Sequence, residues 1–181
     1  MLEKTYGNFT YQPPPRYRHV TFDHVPQVIR ESVMKLDNGG KGIFLHGKVG
    51  AGKTHIAYAI AKQVYDVQHI QVMFWNSTEL LNRIKAGYEA KVNYADEVIG
   101  FRGLLFIDDL GAERLNDWAL EQFYLMVNSR YNLMLPLVVT SNYSIGKMSE
   151  RVGDRIASRL VEMCEVYELG GDDQRLKNAL S

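Results

Sequence analysis

"GKVGAGKT", Gly47 to Thr54, and "LLFIDDLGAE", residues 104 to 113, carry the residue types from which phosphate chemistry is built. The first fits G-x-x-x-x-G-K-[ST] at every required position. Glycines at 47, 50 and 52 let the backbone curl until successive N–H groups point inward around a phosphate. The contributing positions are Gly47, Lys48, Val49, Gly50, Ala51, Gly52, Lys53, Thr54 and His55. A helix opening near Lys53 adds the positive end of its dipole. Lys53 is expected to reach the β- and γ-phosphates as a point charge, and Thr54 to offer its hydroxyl to Mg²⁺. The second stretch runs an apolar segment straight into Asp108 and Asp109. Bringing two carboxylates together out of water is costly, so the pair is expected to divide two tasks. Asp108 faces the metal, directly or through water. Asp109 faces the γ-phosphate, where a carboxylate can orient or deprotonate an attacking water. Glu113 reads as a solvated loop acid.

The elements that must hold these groups follow from the apolar pattern. "GIFLH" (42–46), "IQVMFW" (70–75), "GLLFID" (103–108), "LPLVVTSN" (135–142) and "CEVYEL" read as strands. Pro136 stands at a strand entry, where a missing N–H matters least. Between the strands lie the helical stretches "KTHIAYAIAKQVY", "NSTELLNRIKAGYEA", "NDWALEQFYLMVNSRYN" and "RVGDRIASRLVEM". Asn76 or Ser77 is placed to cap the second of these. Leu120, Phe123, Tyr124 and Val127 share one face of the third. A further helix from about Pro26 carries Val28, Ile29 and Val33 on one side. Nearly continuous apolar strands separated by helices predict an α/β fold, its parallel sheet covered on both faces. Residues 1–20 hold prolines at 13 to 15 and are expected to form an extended N-terminal arm.

Composition narrows the classes. A chain of 181 residues suits one full-sized domain, and 21 basic against 21 acidic residues argue against a broad nucleic-acid-coating surface. Cys164 stands alone, which excludes a disulfide framework and a cysteine-rich zinc site and suits a small buried hydrophobe. The histidines at 19, 24, 46, 55 and 69 lack metal-ligand spacing; His46 and His55 flank the phosphate loop as packing or hydrogen-bonding residues. No apolar run is long enough to span a bilayer and "MLEKTYGNFT" lacks a signal-peptide core, so a cytoplasmic protein without membrane contact is expected.

Taken in order, "GKVGAGKT", "LLFIDDLGAE", "VVTSNY" and "DRIASRL", with "PPRYRHVTFDH" upstream, resemble the AAA+ ATPases and more narrowly the DnaC/DnaI/IstB group. The resemblance implies a P-loop NTPase of AAA+ type with a five-stranded parallel sheet flanked by helices. It implies one domain over residues 1–181 and no helical lid, since little follows Arg175. ATP and Mg²⁺ would be the ligands, with slow hydrolysis stimulated by oligomerisation or DNA. Asn142 occupies the sensor-1 position, its amide directed to the attacking water or the γ-phosphate. Arg155 and Arg159, four apart, share a helix face. Arg159 matches the arginine finger that enters a neighbouring subunit's site, with Arg155 in support, because a guanidinium stays charged and forks onto phosphate oxygens. Both could instead pair with Glu150, Asp154 or Glu162. Arg175, in "DDQR", matches a cis-acting sensor-2 arginine. One departure is Asp109 where most AAA+ proteins carry glutamate, which is consistent with slow turnover.

The same resemblance implies a helicase loader in DNA replication, binding the replicative helicase and single-stranded DNA within a homo-oligomer assembled by ATP. An IstB-like transposition helper and an ATP-dependent binding switch with little turnover stay open. "NRIKAGYEAK" offers Arg83, Lys85, Tyr88 and Lys91 to a DNA strand, or forms an ordinary solvated helix face. Tyr17 and Phe22 either pack on adenine or pin the arm to the core.

Overall fold

Strands that are apolar on both faces must be covered on both faces, and the topology meets that demand. The computed structural model describes residues 12–36, 41–112 and 115–170. The strands are β1 (Gly42–His46), β2 (Val72–Asn76), β3 (Leu104–Asp108), β4 (Leu137–Ser141) and β5 (Cys164–Glu168). They form one sheet in the order β2-β3-β4-β1-β5, with every neighbouring pair parallel. The inner strands β3 and β4 are buried throughout, whereas the edge strand β5 is buried only at Cys164 and then alternates between half-buried and exposed positions.

Successive side chains alternate across the sheet and build two cores. Ile43, Leu45, Leu104, Phe106 and Val138 pack beneath α1 (Gln27–Val33) and α2 (Lys53–Asp66). Phe44, Leu105, Ile107, Leu137 and Val139 pack on the opposite side. That side is covered by α3 (Ser77–Ala90), α4 (Tyr94–Gly100), α5 (Asp117–Asn132), α6 (Met148–Val152) and α7 (Asp154–Met163). Asn76 caps α3 by accepting from the N–H groups of Thr78 (3.0 Å) and Glu79 (3.4 Å).

Several expectations need correction. The helix α4 was unforeseen; Asn93 caps it by accepting the Asp96 N–H at 3.2 Å, and Ala95 and Val98 anchor it in the core. The single helix expected over "RVGDRIASRLVEM" is two, because Gly153 at φ 82° interrupts it. Residues 1–11 of the expected arm lie outside the described residues; in the rest of it Pro15–Tyr17 is a short 3₁₀ turn and Val20 is buried completely, and a second such turn, Phe22–His24, follows. Proline at the first position of such a turn sacrifices no hydrogen bond, so the triple proline did not exclude one. Val28 faces solvent, while Ile29 and Val33 enter the core. Strand limits shift by a residue or two: β2 begins at Val72 rather than 70, and β4 spans 137–141 rather than 135–142.

Arg130 is the largest fully buried side chain. Its guanidinium donates to the carbonyls of Phe101 (3.1 Å) and Pro136 (2.8 Å) and to that of Gly103. It thereby ties the entries of β3 and β4 to the end of α5. Burial pulls its pKa down to about 10. Arg130→Met leaves these carbonyls without their donor, and we expect a loss of about 2–4 kcal/mol of stability. The measurement is a lowered urea midpoint with an unchanged denaturant slope.

Candidate nucleotide site

Between β1 and α2 the chain turns through residues 47 to 52. A side chain at Gly47 would collide with the Leu169 carbonyl, where the chain leaving β5 crosses the loop. Gly52, at φ 86°, supplies the left-handed conformation that starts α2. Lys53 is only 7% exposed, and its ammonium donates to the carbonyls of Gly47 and Lys48, each at 2.9 Å. The loop and the lysine therefore form one compact unit at a helix N-terminus, where N–H groups and dipole favour an anion.

Asp108 ends β3 and is 7% exposed. Thr54, at the start of α2, donates its hydroxyl toward both carboxylate oxygens of Asp108 at 3.1 Å. Thr140, on β4, donates to Asp108 Oδ1 at 2.6 Å. Burial raises the Asp108 pKa and Asp109 adds to the rise, while the Thr140 and Thr54 hydroxyls and the Lys53 charge oppose it. A buried carboxylate beside a hydroxyl is a donor set of the hard oxygens that Mg²⁺ prefers. On that chemistry Thr54 and Asp108 fit the ion.

Asp109 points elsewhere. Its backbone lies at φ 61°, a conformation that costs a non-glycine residue on the order of 1 kcal/mol and persists only where neighbours enforce it. They do so here. The Asp109 N–H donates to Thr140 Oγ1 at 2.8 Å, and its carbonyl accepts from the Ser77 hydroxyl at 3.0 Å. Its carboxylate accepts from the Asn142 amide at 2.8 Å. The next residue is fixed too: Leu110 N–H donates to the Thr140 carbonyl and the Ser141 hydroxyl donates to the Leu110 carbonyl, both at 2.8 Å. Arg151 then donates to the carbonyls of Gly111 (2.9 Å) and Ala112 (3.2 Å) and lies 4.4 Å above the Tyr143 ring. The adjacent aspartates thus diverge, Asp108 toward Thr54 and Asp109 toward Asn142.

Thr140, Ser77, Ser141 and Arg151 did not emerge as site residues from the sequence. For Thr140 and Ser141 the signal was present: two hydroxyls close an otherwise apolar buried strand, and such hydroxyls need partners. Ser77 and Arg151 gave no comparable sign, since their partners are backbone carbonyls remote in sequence.

The arm forms the outer wall. Arg16, Tyr17, His19 and His24 line the same cleft as Gly50, Lys53, Thr54, Asp109 and Asn142. Tyr17 stacks on Tyr58 at 4.3 Å, Tyr58 on Phe74 at 4.0 Å, and Phe74 on Phe106 at 5.2 Å. Tyr17 therefore pins the arm to the core while lining the cleft. Phe22 packs against the same core, beneath the Arg30 guanidinium. His24 Nδ1 accepts the Thr21 N–H at 3.3 Å, so His55 Nε2 is the donor in their 3.1 Å contact. Burial first, and then His24 and His19, lower the His55 pKa. His46 contributes its carbonyl, which accepts from the Leu169 N–H at 2.7 Å.

Arg155 and Arg159 do not line this cleft. They project from α7 onto α5, where Arg155 donates to the Tyr124 hydroxyl at 2.6 Å and Arg159 to Asn128 Oδ1 at 3.1 Å. The alternative expectation, pairing with Glu150, Asp154 or Glu162, is not met: neither arginine forms an ion pair with another described residue. Arg175 and Glu113 lie outside the described residues.

A second concavity runs between α3 and the start of α5, lined by Leu81, Asn82, Lys85, Tyr88, Asn116 and Trp118 among others. Tyr88 is 53% exposed and meets Trp118 edge-on at 6.3 Å. Lys85 joins this groove, but Arg83 turns away to cover Tyr94 (4.1 Å) and Trp75 (5.7 Å). Lys91 terminates α3 in a left-handed conformation. Among the described residues no helix is long and apolar enough to cross a membrane.

Comparison with known proteins agrees with this geometry. The profile of the IstB-like ATP binding protein family matches residues 31–181. The phage-like element PBSX protein XkdC of Bacillus subtilis (strain 168) is 28% identical over 170 residues, covering 90% of this chain and 62% of that protein. The insertion sequence IS5376 putative ATP-binding protein of Geobacillus stearothermophilus is 27% identical over 143 residues, covering 76% of this chain and 56% of that one. The crystal structure of the DnaC helicase loader superposes with a TM-score of 0.78 at 28% identity, covering 87% of this chain and 100% of that chain. The chain spans between 56% and 62% of these two curated relatives. It belongs to the IstB-like ATP binding protein family, and is an ATP-binding AAA+ protein of the DnaC/DnaI/IstB group.

Proposed function

We propose that this protein hydrolyses ATP slowly and uses the nucleotide state to load or remodel a replicative helicase on single-stranded DNA. The observation that carries the hydrolytic part is the divergence of the two aspartates from a shared Thr140 hydroxyl. Thr54 and Asp108 would hold Mg²⁺, which neutralises phosphate charge when bound. Lys53 and the loop N–H groups bind the β- and γ-phosphates. Asn142 holds the Asp109 carboxylate at 2.8 Å, on the cleft wall where that carboxylate orients an attacking water and takes its proton. Arg159, with Arg155, acts on a neighbouring subunit's nucleotide. Because these arginines and the cleft occupy different parts of the surface, the contact is head-to-tail, and ATP drives assembly.

The loader reading rests on the likeness to the DnaC helicase loader, which extends over the whole of that chain. The single-stranded DNA reading rests on the groove between α3 and α5. Tyr88 and Trp118 offer ring faces to bases and Lys85 offers charge to phosphate, which suits a strand with unstacked bases. A second reading, a transposition helper with a transposase as partner, is favoured by the likeness to the insertion-sequence protein.

Two outcomes are expected. Asp109→Asn should bind ATP within a few-fold of wild type and lose turnover by about 100-fold or more. On a column in ATP it should still retain the replicative helicase, which wild type releases in ADP. Capture of a transposase instead, or of neither, would move the chain to the second reading or to an isolated ATPase. Tyr88→Ala and Trp118→Ala should each weaken binding of a single-stranded oligonucleotide by roughly 5- to 100-fold, as stacking on one ring is worth about 1–3 kcal/mol. Fluorescence anisotropy in ATP measures this, and unchanged affinity in both variants would remove DNA from the groove.

A further inference from the structure

Tyr124 collects an unusual load on the surface where α5 meets α7. The Arg155 guanidinium lies 4.0 Å from its ring centre and the Arg159 guanidinium 5.1 Å. Its hydroxyl oxygen accepts from Arg155 at 2.6 Å and from Arg159 at 3.5 Å. Two cations share one aromatic ring, and among the described residues neither forms an ion pair with a carboxylate. Like charges so placed repel, and the ring quadrupole together with one phenolic oxygen offsets only part of that cost.

Surface arginines ordinarily settle onto nearby acids, and Glu162 is close at hand. That acid is instead engaged by the Tyr131 hydroxyl at 2.8 Å. Arg159 is held on its other edges by Asn128 Oδ1 at 3.1 Å and by the Arg155 carbonyl at 3.0 Å. The partners of the two guanidiniums among the described residues, the Tyr124 and Tyr131 rings included, are thus neutral. Arginines fixed by neutral groups keep their full charge for an incoming anion, and their rotamer freedom is surrendered before the anion arrives. Tyr124 can serve both because it is half-buried: it packs against the α3–α7 core while its ring still lies beneath the arginines.

We propose that Tyr124 is the positioning residue for this arginine pair, setting both guanidiniums for the triphosphate of an adjacent subunit. The inference rests on the trans role proposed above for Arg159. Tyr124 touches no reacting atom; it acts through the arginines. Both its ring, beneath the two guanidiniums, and its hydroxyl, which accepts from Arg155 at 2.6 Å, take part in the holding.

The test is steady-state ATP turnover over a range of protein concentrations for Tyr124→Leu, Tyr124→Phe and Arg159→Ala. Tyr124→Leu should lower kcat by about 10-fold or more at saturating protein while leaving KM for ATP within two-fold, because the arginines act on the transition state. Tyr124→Phe, which retains the ring and loses the hydroxyl, should recover part of that loss. Mixing separates donation from folding. Asp109→Asn subunits, inactive but carrying intact arginines, should restore turnover when added to Tyr124→Leu subunits, whose own clefts are complete. If Arg159→Ala turns over like wild type at every concentration, the trans reading itself fails. If Arg159→Ala is impaired but Tyr124→Leu is not, or if Asp109→Asn subunits restore nothing, the trans reading survives and the role given to Tyr124 is overturned.

Discussion

The arrangement depends on one hydroxyl. Thr140 Oγ1 donates to the Asp108 carboxylate and accepts the Asp109 N–H, so a single atom fixes a side chain and a backbone of adjacent residues. This is possible because β4 lies between the phosphate-loop strand β1 and the aspartate strand β3. The two strands bearing the motifs are not paired with each other. Thr140 stands opposite Leu45 in register with β1, and its side chain reaches the end of β3. With the hydroxyl in place Asp109 is held at φ 61°, which turns its carboxylate away from Asp108 and toward Asn142. Without it, the Asp109 backbone would lose a contact that holds its strained conformation, and the Asp108 carboxylate would lose its shortest hydrogen bond.

Around that hydroxyl the structure is redundant. Ser77, Ser141 and Arg151 each hold a backbone carbonyl of residues 109 to 112, and Asn142 holds the Asp109 side chain. Redundancy of this kind suits a site that must resist its own electrostatics, since strain persists only where several contacts oppose its release. On the far side the arm closes the cleft through a four-ring stack from Tyr17 to Phe106, on the strand that also ends in Asp108. The arm is thus coupled through packing to the element that carries the acid.

Much of this was legible in the residues. The phosphate loop, Asp108 and the five strands announce themselves through glycine spacing and apolar runs, because those patterns have direct physical causes. Asn142 and the arginine pair were visible as positions within a resemblance. The helix α4 was not, since "YADEVIG" is short and its amphipathic pattern covers barely two turns. The break at Gly153 was written in the sequence as a glycine, yet a glycine inside an amphipathic stretch can be accommodated without a break. Thr140 announced only that its hydroxyl needed a partner, and Tyr124 only a helix face; what each holds was illegible for a deeper reason. Threonine in a strand and tyrosine on a helix face are ordinary, and their meaning comes from partners about 30 residues away in the chain.

The central claim is that Thr140 divides the two acids, on which the proposed hydrolysis depends. It is tested most directly by comparing Thr140→Val, isosteric but without the hydroxyl, with Thr140→Ser, which keeps it. ATP turnover would be measured alongside ATP affinity by equilibrium binding. The account predicts that Thr140→Val binds ATP but loses most of its turnover, while Thr140→Ser retains it. Turnover in Thr140→Val equal to that of wild type, or wild type that binds ATP and never turns it over, would contradict the account.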